Sequence, residues 1–348
     1  MLALDRPTRR CGWWPGGHRA VRAGTLPETT RPPGGKLDGG RAARGGRLTP
    51  VRADIAAALA SSGIDPASVV AAGDIGGGTY NTAIRLTLAD GRRLVLKIAP
   101  AAVGLAYEHD LLATEAEYYR SASGPLPAVV GAGPGFLLMT ELPGATWDVS
   151  DADRPRLRRE LGAVVARLHE ATGDAFGYPQ DPPHPTWTAA FTAMTDAVLA
   201  DALKFGVRLP RPAAEIAHLV RRHEPLLDHV TTPVLVHFDL WAGNILLDGG
   251  HVSGIIDAER AFWGDPVAEF VSLTLFRGVD RELVDGYRDA GGPAKFDPPA
   301  RRRLALYRVY LDLIMLVELV PRRDPDAGRA EFLTGHLIAD LDACQRAL

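Results

Sequence analysis

A short polar loop between apolar runs, within residues 233–270, constrains the fold of this chain more than any other segment. His237 and Asp239 directly follow the apolar run VLV, and Asn244 comes five residues after Asp239. The runs ILL and VSGII lie on either side of the turn sequence DGG, a pattern that predicts a two-stranded hairpin. Such a hairpin returns the chain to the loop and brings Asp257, at its far end, beside Asn244.

The side chains of this loop have the chemistry that phosphoryl transfer requires. Asn244 and Asp257 offer two oxygen ligands at one point, which suits Mg²⁺ because that ion takes few protein ligands and keeps waters and phosphate oxygens. Asp239, at the mouth of the loop, is placed to accept the proton of a substrate hydroxyl group. The order His237, Asp239, Asn244, Asp257 is that of a kinase catalytic loop followed by a metal-binding aspartate. The alternative, a set of turn and capping residues, does not require the complete spacing.

The loop resembles the catalytic core of the aminoglycoside phosphotransferase superfamily, which includes the fructosamine kinases. Its sequence DLWAGN is similar to the D-L-W-x-G-N form of the fructosamine-kinase-like members, and the resemblance extends from about Ile55 to the C-terminus. The resemblance implies a two-lobed α+β, protein-kinase-like fold, with an antiparallel five-stranded sheet plus a helix in a small N-lobe and a larger, mainly helical C-lobe. Phe238 stands where the family most often has Gly, so its ring either narrows the acceptor site or fills the core.

A glycine cluster and a lysine upstream of the loop match the nucleotide-binding part of the family. The cluster comprises Gly76, Gly77, Gly78 and Thr79. Glycines let the backbone approach phosphate closely and offer it N–H donors. Lys97 ends the apolar strand RRLVLKIA, where the resemblance implies a lysine that holds the α- and β-phosphates.

A lysine in that position requires an acidic partner from the next helix, which we predict over residues 107–122. We assign Glu115, because its spacing resembles the E-x-x-x-L pattern of the family, and Glu117 is the second candidate. The segment that begins at Glu141 and Leu142 resembles the hinge between kinase lobes, whose backbone groups pair with the adenine edge.

Met139, two residues before the hinge, is then placed to line the base pocket. An ordinary turn after a strand is the alternative to a hinge. We expect ATP, or GTP, as the phosphoryl donor.

Composition divides the chain into an extension and two lobes. Residues 1–49 are rich in Gly, Pro and Arg, with ten basic and three acidic side chains, and we predict that they are disordered. The overall charge of −3 then leaves −10 on the remainder. We place the nucleotide-binding N-lobe at 50–141 and the C-lobe, with the catalytic loop and acceptor-binding helices, at 142–348.

The remaining features exclude several classes of function. An acidic body argues against nucleic-acid binding. No apolar run is long enough to span a membrane, and the N-terminus lacks the apolar core of a secretory signal. Cys11 and Cys344 lie at opposite ends of the chain, which implies no disulfide framework. We therefore expect a cytoplasmic protein, either a monomer or a weak dimer.

The acceptor is predicted to be a small molecule with a hydroxyl group. Gly264 follows Asp257 by seven residues, which leaves no room for the long activation segment of a protein kinase. The acidic body favours an aminoglycoside or related antibiotic, hence a role in resistance, with four possible cation contacts at Glu259, Glu269, Asp312 and Glu318. A fructosamine acceptor is the alternative, and a non-catalytic nucleotide-binding regulator is the alternative of another class. His169 and Asp265 are expected to be structural.

Overall fold

The structure is a computed structural model that describes residues 52–75, 81–100, 104–147, 154–324 and 326–346. The predicted N-terminal extension and the glycine cluster at Gly76, Gly77, Gly78 and Thr79 lie outside the described residues. No described helix is both long and apolar enough to cross a membrane.

An antiparallel five-stranded sheet, as predicted, occupies the N-terminal part of the described chain. Its strands stand in the order β1-β2-β3-β5-β4. They are β1 (Val69–Asp74), β2 (Thr82–Leu88), β3 (Arg93–Ile98), β4 (Val129–Gly133) and β5 (Phe136–Thr140). Because side chains alternate along a strand, Leu94 and Leu96 of β3 point to one face and Lys97 to the other.

Each face of this sheet is covered by a helix, whereas the resemblance implied one helix packed on the sheet. Helix α1 (Ala53–Ser61) packs on the face of Leu94 and Leu96, with Leu59 fully buried there. Helix α2 (Leu111–Ser121) packs on the opposite face. The predicted start of α2 at residue 107 is four residues too early, because the chain first makes a turn in which Glu108 N–H donates to Leu105 O at 2.9 Å.

Two small sheets hold the predicted catalytic segment. In the first, β6 (Ala145–Thr146) and β9 (His251–Ile255) flank β8 (Ile245–Asp248). In the second, β7 (Val234–Val236) pairs with β10 (Phe262–Gly264). The β8–β9 hairpin has the predicted position and turn, so both ends of the polar loop are anchored in strands.

Helices form most of the remainder, as predicted for the C-lobe. They are α3 (Arg154–Leu168), α4 (Trp187–Lys204), α5 (Ala213–Arg221), α6 (Glu224–Leu227), α7 (Glu269–Leu273), α8 (Arg281–Asp289), α9 (Pro298–Val317) and α10 (Ala327–Arg346). Helix α9 runs through the middle of the core and buries fourteen of its twenty residues.

The contact between α3 and α8 depends on two glycines. A Cβ atom on Gly162 of α3 would lie 2.2 Å from Leu283 O, and one on Gly286 of α8 would lie 2.0 Å from Arg159 O. The two helix backbones therefore approach more closely than any larger side chain permits.

Candidate active site

Lys97 and Glu115 meet on the face of the sheet that α2 covers. Lys97 Nζ lies 2.7 Å from both carboxylate oxygens of Glu115, and it also contacts Asp257 Oδ1. Burial alone would lower the pKa of Lys97, but the charges of Asp257 and Glu115 raise it, so the ammonium group stays protonated. The structure brings together the predicted lysine and acid, whereas Glu117 on the same helix is half-exposed.

Tyr119 joins this pair to Asp257, the predicted metal ligand, and was not itself predicted as a site residue. Its hydroxyl group donates to Glu115 Oε1 at 2.6 Å and accepts the backbone N–H of Asp257 at 2.8 Å. The sequence contains one signal for this role, because Tyr119 lies four residues after Glu115 and therefore on the same side of α2.

Glu269, the first residue of α7, supports the loop that carries Asp239. The carboxylate of Glu269 accepts the backbone N–H groups of His237 at 2.8 Å and Phe238 at 3.0 Å, and His169 contacts it at 3.4 Å. Glu269 is fully buried. Burial opposes its ionisation, but contacts with His169 and His237 outweigh this effect and lower its pKa. The prediction of Glu269 as a cation contact is therefore wrong, because its oxygens support the loop.

His237 positions the loop, although we predicted it as a catalytic residue. Its Nδ1 accepts the N–H of Asp239 at 3.2 Å, and its Nε2 donates to Ile256 O at 3.1 Å. Burial lowers the pKa of His237, and a neutral ring supplies the one acceptor and one donor that these bonds need. Since both nitrogens are engaged and the side chain is fully buried, His237 acts through Asp239.

Asp239 and Asn244 are in direct contact across the loop. Asn244 Nδ2 donates to the backbone oxygen of Asp239 at 2.8 Å and to its Oδ2 at 3.1 Å. These bonds use the amide nitrogen, so the amide oxygen is available as a metal ligand. Burial raises the pKa of Asp239 to about 7, although the nearby Arg260 opposes the shift. A carboxyl group with such a pKa is suited to accept a proton at neutral pH.

Arg260 is a second residue that the sequence reasoning missed. It is buried, with its guanidinium group 3.9 Å from Asp239 Oδ1 and 2.7 Å from Glu318 Oε2. Glu318 in turn contacts Arg322 at 3.1 Å, and Arg322 contacts Glu108 at 2.6 Å. Glu318 is thus engaged in an internal ion-pair chain, in place of the predicted contact with a cationic acceptor.

The predicted metal ligands lie side by side, and Glu259 joins them. Asn244 O accepts the N–H of Ile256, the residue before Asp257, at 3.1 Å. Carboxylate oxygens of Asp257, Glu259 and Glu115 lie within 4.8 Å of one another. Burial and the Asp257 charge raise the pKa of Glu259 to about 8, as expected for crowded carboxylates. These oxygen donors fit Mg²⁺.

In the predicted hinge, groups of Glu141 form contacts with neighbouring residues of the five-stranded sheet. Glu141 N–H donates to Arg93 O at 3.1 Å, and the Glu141 carboxylate pairs with Arg85 and Arg93, both at 2.6 Å. The N–H and carboxylate groups of Glu141 are thus engaged within the protein. The predicted adenine contacts of the Glu141 carbonyl group and of the Leu142 backbone stay a prediction. Met139 is buried opposite Val95, on the same face as Lys97, as a residue of the base pocket should be.

Three further predicted residues lie inside the protein. Phe238 is fully buried, with ring centroids 4.9 Å from Phe262 and 5.8 Å from Tyr310, so its ring fills the core. Its φ of 62° lies in the left-handed region, which explains why Gly suits this position. Asp312 is buried beside Asp340 of α10. Asp265, as expected, caps the turn at Pro266–Ala268 by accepting the N–H of Val267 at 3.0 Å.

A comparison with protein families assigns this arrangement. The model of the family described as "Phosphotransferase enzyme family" (APH) matches residues 73–307, which contain Lys97, Glu115, Asp239, Asn244 and Asp257. This chain belongs to the APH phosphotransferase family. The predicted resemblance is confirmed, and the APH-family chain is a small-molecule kinase.

Two relatives of this APH-family kinase are named as probable ketoamine kinases. A Lactiplantibacillus plantarum protein named "Probable ketoamine kinase" is 26% identical over 253 residues, which are 68% of this chain and 84% of that protein. A Synechocystis protein, also named a probable ketoamine kinase, is 33% identical over 164 residues, 43% of this chain and 52% of its own length.

Solved structures have the same kinase-like fold. A Thermobifida fusca protein, provisionally named a fructosamine-3-kinase, superposes with a TM-score of 0.64 at 23% identity and covers 85% of this chain and 99% of its own. The aminoglycoside phosphotransferase APH(4)-Ia, in a ternary complex with ADP and hygromycin B, gives 0.60 at 20% identity, over 85% and 99% of the two chains. The predicted fold class is confirmed.

Proposed function

We propose that this APH-family kinase transfers the γ-phosphoryl group of ATP to a hydroxyl group of a ketoamine, a sugar joined to an amine. The observation that carries the phosphoryl transfer is the convergence of Lys97, Asp239 and Asp257 from separate elements on one cleft. The curated relatives favour the ketoamine acceptor, which was our alternative. We predicted an aminoglycoside acceptor first, because the body of the chain is acidic. The aminoglycoside phosphotransferases among the solved structures support that acceptor only through a shared fold, and a fold by itself does not determine a substrate.

In this mechanism, each side chain has one task. Lys97, held by Glu115, binds the phosphates of the nucleotide, and the hinge backbone at Leu142 contacts the base. Asp239 orients the acceptor hydroxyl group and accepts its proton. Asn244 and Asp257, with Glu259 beside them, would hold Mg²⁺, which neutralises charge on the phosphates. Because the transition state for phosphoryl transfer is loose, most of the rate enhancement comes from positioning and charge neutralisation.

A panel of acceptors tests the proposal. Purified protein with Mg²⁺ and ATP is assayed for ADP release and product mass against fructose-derived ketosamines, aminoglycosides and no acceptor. We expect phosphorylated ketosamine. In Asp239→Asn, kcat should fall by about 10²–10⁴-fold with little change in the KM for ATP, because this substitution removes the base without touching the nucleotide. Phosphorylation of aminoglycosides in place of ketosamines would restore our first prediction, and nucleotide binding without any transfer would indicate a regulator.

A further inference from the structure

A cavity of 360 Å³ opens beside the catalytic loop and takes no part in the mechanism above. It lies between the segment that precedes α2, the loop over residues 177–184 and helix α4. Its wall includes Tyr107, Tyr178, Asp181, Met194, Asp201 and Tyr310. This volume suits part of a small molecule, and the mixture of aromatic, apolar and acidic side chains is typical of ligand pockets.

The inner wall of this cavity packs against the catalytic loop. The ring of Tyr310 lies 5.8 Å from that of Phe238, the residue before Asp239. Tyr178 donates to or accepts from Tyr310 through their hydroxyl groups at 2.7 Å, which fixes both rings. A wall residue of the cavity is therefore packed directly against the residue that precedes the proposed base.

Tyr107 supplies a polar group that has no described partner. The residue is 4% exposed, and its ring stacks on that of Tyr178 with centroids 5.2 Å apart. No residue in the described part of the chain forms a hydrogen bond with its hydroxyl group. Burial raises the pKa of Tyr107, so the group remains a donor. A buried donor without an acceptor is costly, and a bound molecule with an oxygen or nitrogen acceptor would remove that cost.

Two carboxylates line the cavity together with His184, and the buried Arg260 near its tyrosine side chains is already paired with Glu318 at 2.7 Å. Asp201 is nearly buried and accepts the N–H of Ala106 at 2.6 Å, while Asp181 is 39% exposed. The cations near them lie toward solvent, with Lys204 Nζ 4.0 Å from Asp201 Oδ1 and His109 Nε2 3.3 Å from Asp181 Oδ1. Carboxylates next to aromatic rings favour an ammonium group over an anion.

We propose that this cavity binds the amine-borne substituent of the acceptor and prefers a positively charged one. The inference rests on the proposed function, because a ketoamine has a sugar hydroxyl group to place at Asp239 and an amine substituent that extends away from it. The hydroxyl group of Tyr107 would donate to the substituent, and Asp181 and Asp201 would set its charge.

Substitutions on α4 test the cavity without disturbing the core. Ala193 and Ala197 both line it, and neither is buried. Ala197→Phe or Ala193→Phe should fill the space and raise the KM for a ketosamine of a long amine by about tenfold or more, with the KM for ATP unchanged. Ala200→Phe, exposed on the same helix and outside the cavity, is the matched control and should behave as wild type. Melting temperatures confirm that each variant is folded.

A set of acceptors with the same sugar tests the charge preference. We compare fructosyl derivatives of a diamine, a neutral alkylamine and glycine, and expect kcat/KM for the diamine derivative to exceed that for the glycine derivative by about tenfold. Asp181→Asn should reduce this ratio. Wild-type kinetics in folded Ala197→Phe and Ala193→Phe, or equal kcat/KM for all three acceptors, would overturn the inference.

A failure of the proposed function can be distinguished from a failure of the cavity inference. If wild type phosphorylates none of these acceptors, calorimetry with the same ketosamines and a non-hydrolysable ATP analogue decides the question. Binding that Ala197→Phe weakens and Ala200→Phe preserves supports the cavity without the reaction, and no binding overturns the inference as well.

Discussion

At the scale of single residues, the site is built from side chains that are close in sequence and supports that are distant. The spacing of Asp239, Asn244 and Asp257 was sufficient to predict the loop, because a hairpin determines which of its residues come together. Glu269 and Arg260 were not predicted in their roles. Their side chains reach the loop through tertiary packing of α7 and of the segment after Asp257, and no local pattern encodes such a contact.

Arg260 provides a test at this scale. Arg260→Gln removes the charge that faces Asp239, and we expect kcat to fall about tenfold to a hundredfold while the KM for ATP stays near wild type, because the base loses its orientation. Arg260→Lys should restore part of the loss. Arg303→Gln is the control, since Arg303 is equally buried and pairs with Asp265 at 2.6 Å. It should lower stability and leave kcat at low temperature intact. Equal kcat values for Arg260→Gln and Arg303→Gln would rule out a positioning role.

At the scale of elements, the β8–β9 hairpin and helix α2 were predicted to within four residues of their observed bounds. The pairing of α3 with α8 was not predicted. In the sequence, Gly162 and Gly286 are residues that ordinarily weaken a helix, and only the structure shows that they allow the two backbones to approach each other closely. The same limit applies to Asp312, which the sequence offers as a surface carboxylate and the structure buries between α9 and α10.

The α3–α8 contact predicts opposite effects of one substitution at two glycines. Gly162→Ala should destabilise the protein by about 1–3 kcal/mol, because the new methyl group meets the backbone of α8. Gly335→Ala on α10 should stabilise it by about 0.5–1 kcal/mol, since a Cβ there meets no described atom within 4 Å. Denaturant unfolding of both variants measures the difference. A stable Gly162→Ala variant would mean that the two helices can separate at little cost.

The α9–α10 contact predicts a pH dependence of stability. Burial, together with the neighbouring Asp340, raises the pKa of Asp312 from 3.8 to about 8. Between these values the folded protein keeps a proton that the unfolded chain releases, so stability falls as the pH rises from about 4 to about 8. Asp312→Asn should flatten this part of the melting-temperature profile and exceed wild type in stability near pH 8. Asp289→Asn, at an exposed carboxylate of α8, should retain the wild-type slope.

At the scale of the whole molecule, the resemblance implied the kinase-like fold and both faces of its cleft. The predicted division at residue 141 into lobes stays a prediction. What the sequence could not show is how the parts are joined, because the joining contacts connect residues far apart in the chain. Lys97 of β3 and Asp257 after β9 are 160 positions apart and in direct contact.

That contact predicts a ligand-dependent melting temperature. In the proposed mechanism Mg²⁺ and ATP bind across the cleft, and a ligand at a hundred times its Kd stabilises the folded state by about 2.7 kcal/mol. We expect a rise of several degrees in wild type and in Asp239→Asn, which keeps the nucleotide contacts. Asp257→Ala should lose the rise, because it removes the charged metal ligand. An equal rise in Asp257→Ala would place the nucleotide elsewhere.

The hydroxyl group of Tyr119 has a consequence for regulation. Protein kinases are switched by moving the helix that carries the glutamate partner of the lysine. In this chain the corresponding helix, α2, is tied through Tyr119 to the backbone of Asp257, and any displacement would break that bond together with the Lys97–Glu115 pair and leave buried polar groups unpaired. An inactive state with a displaced α2 would therefore have a high free energy. We expect the folded protein to keep Lys97, Glu115 and Asp257 together without a separate activation step. Its rate in the cell would then be set by the supply of acceptor and nucleotide.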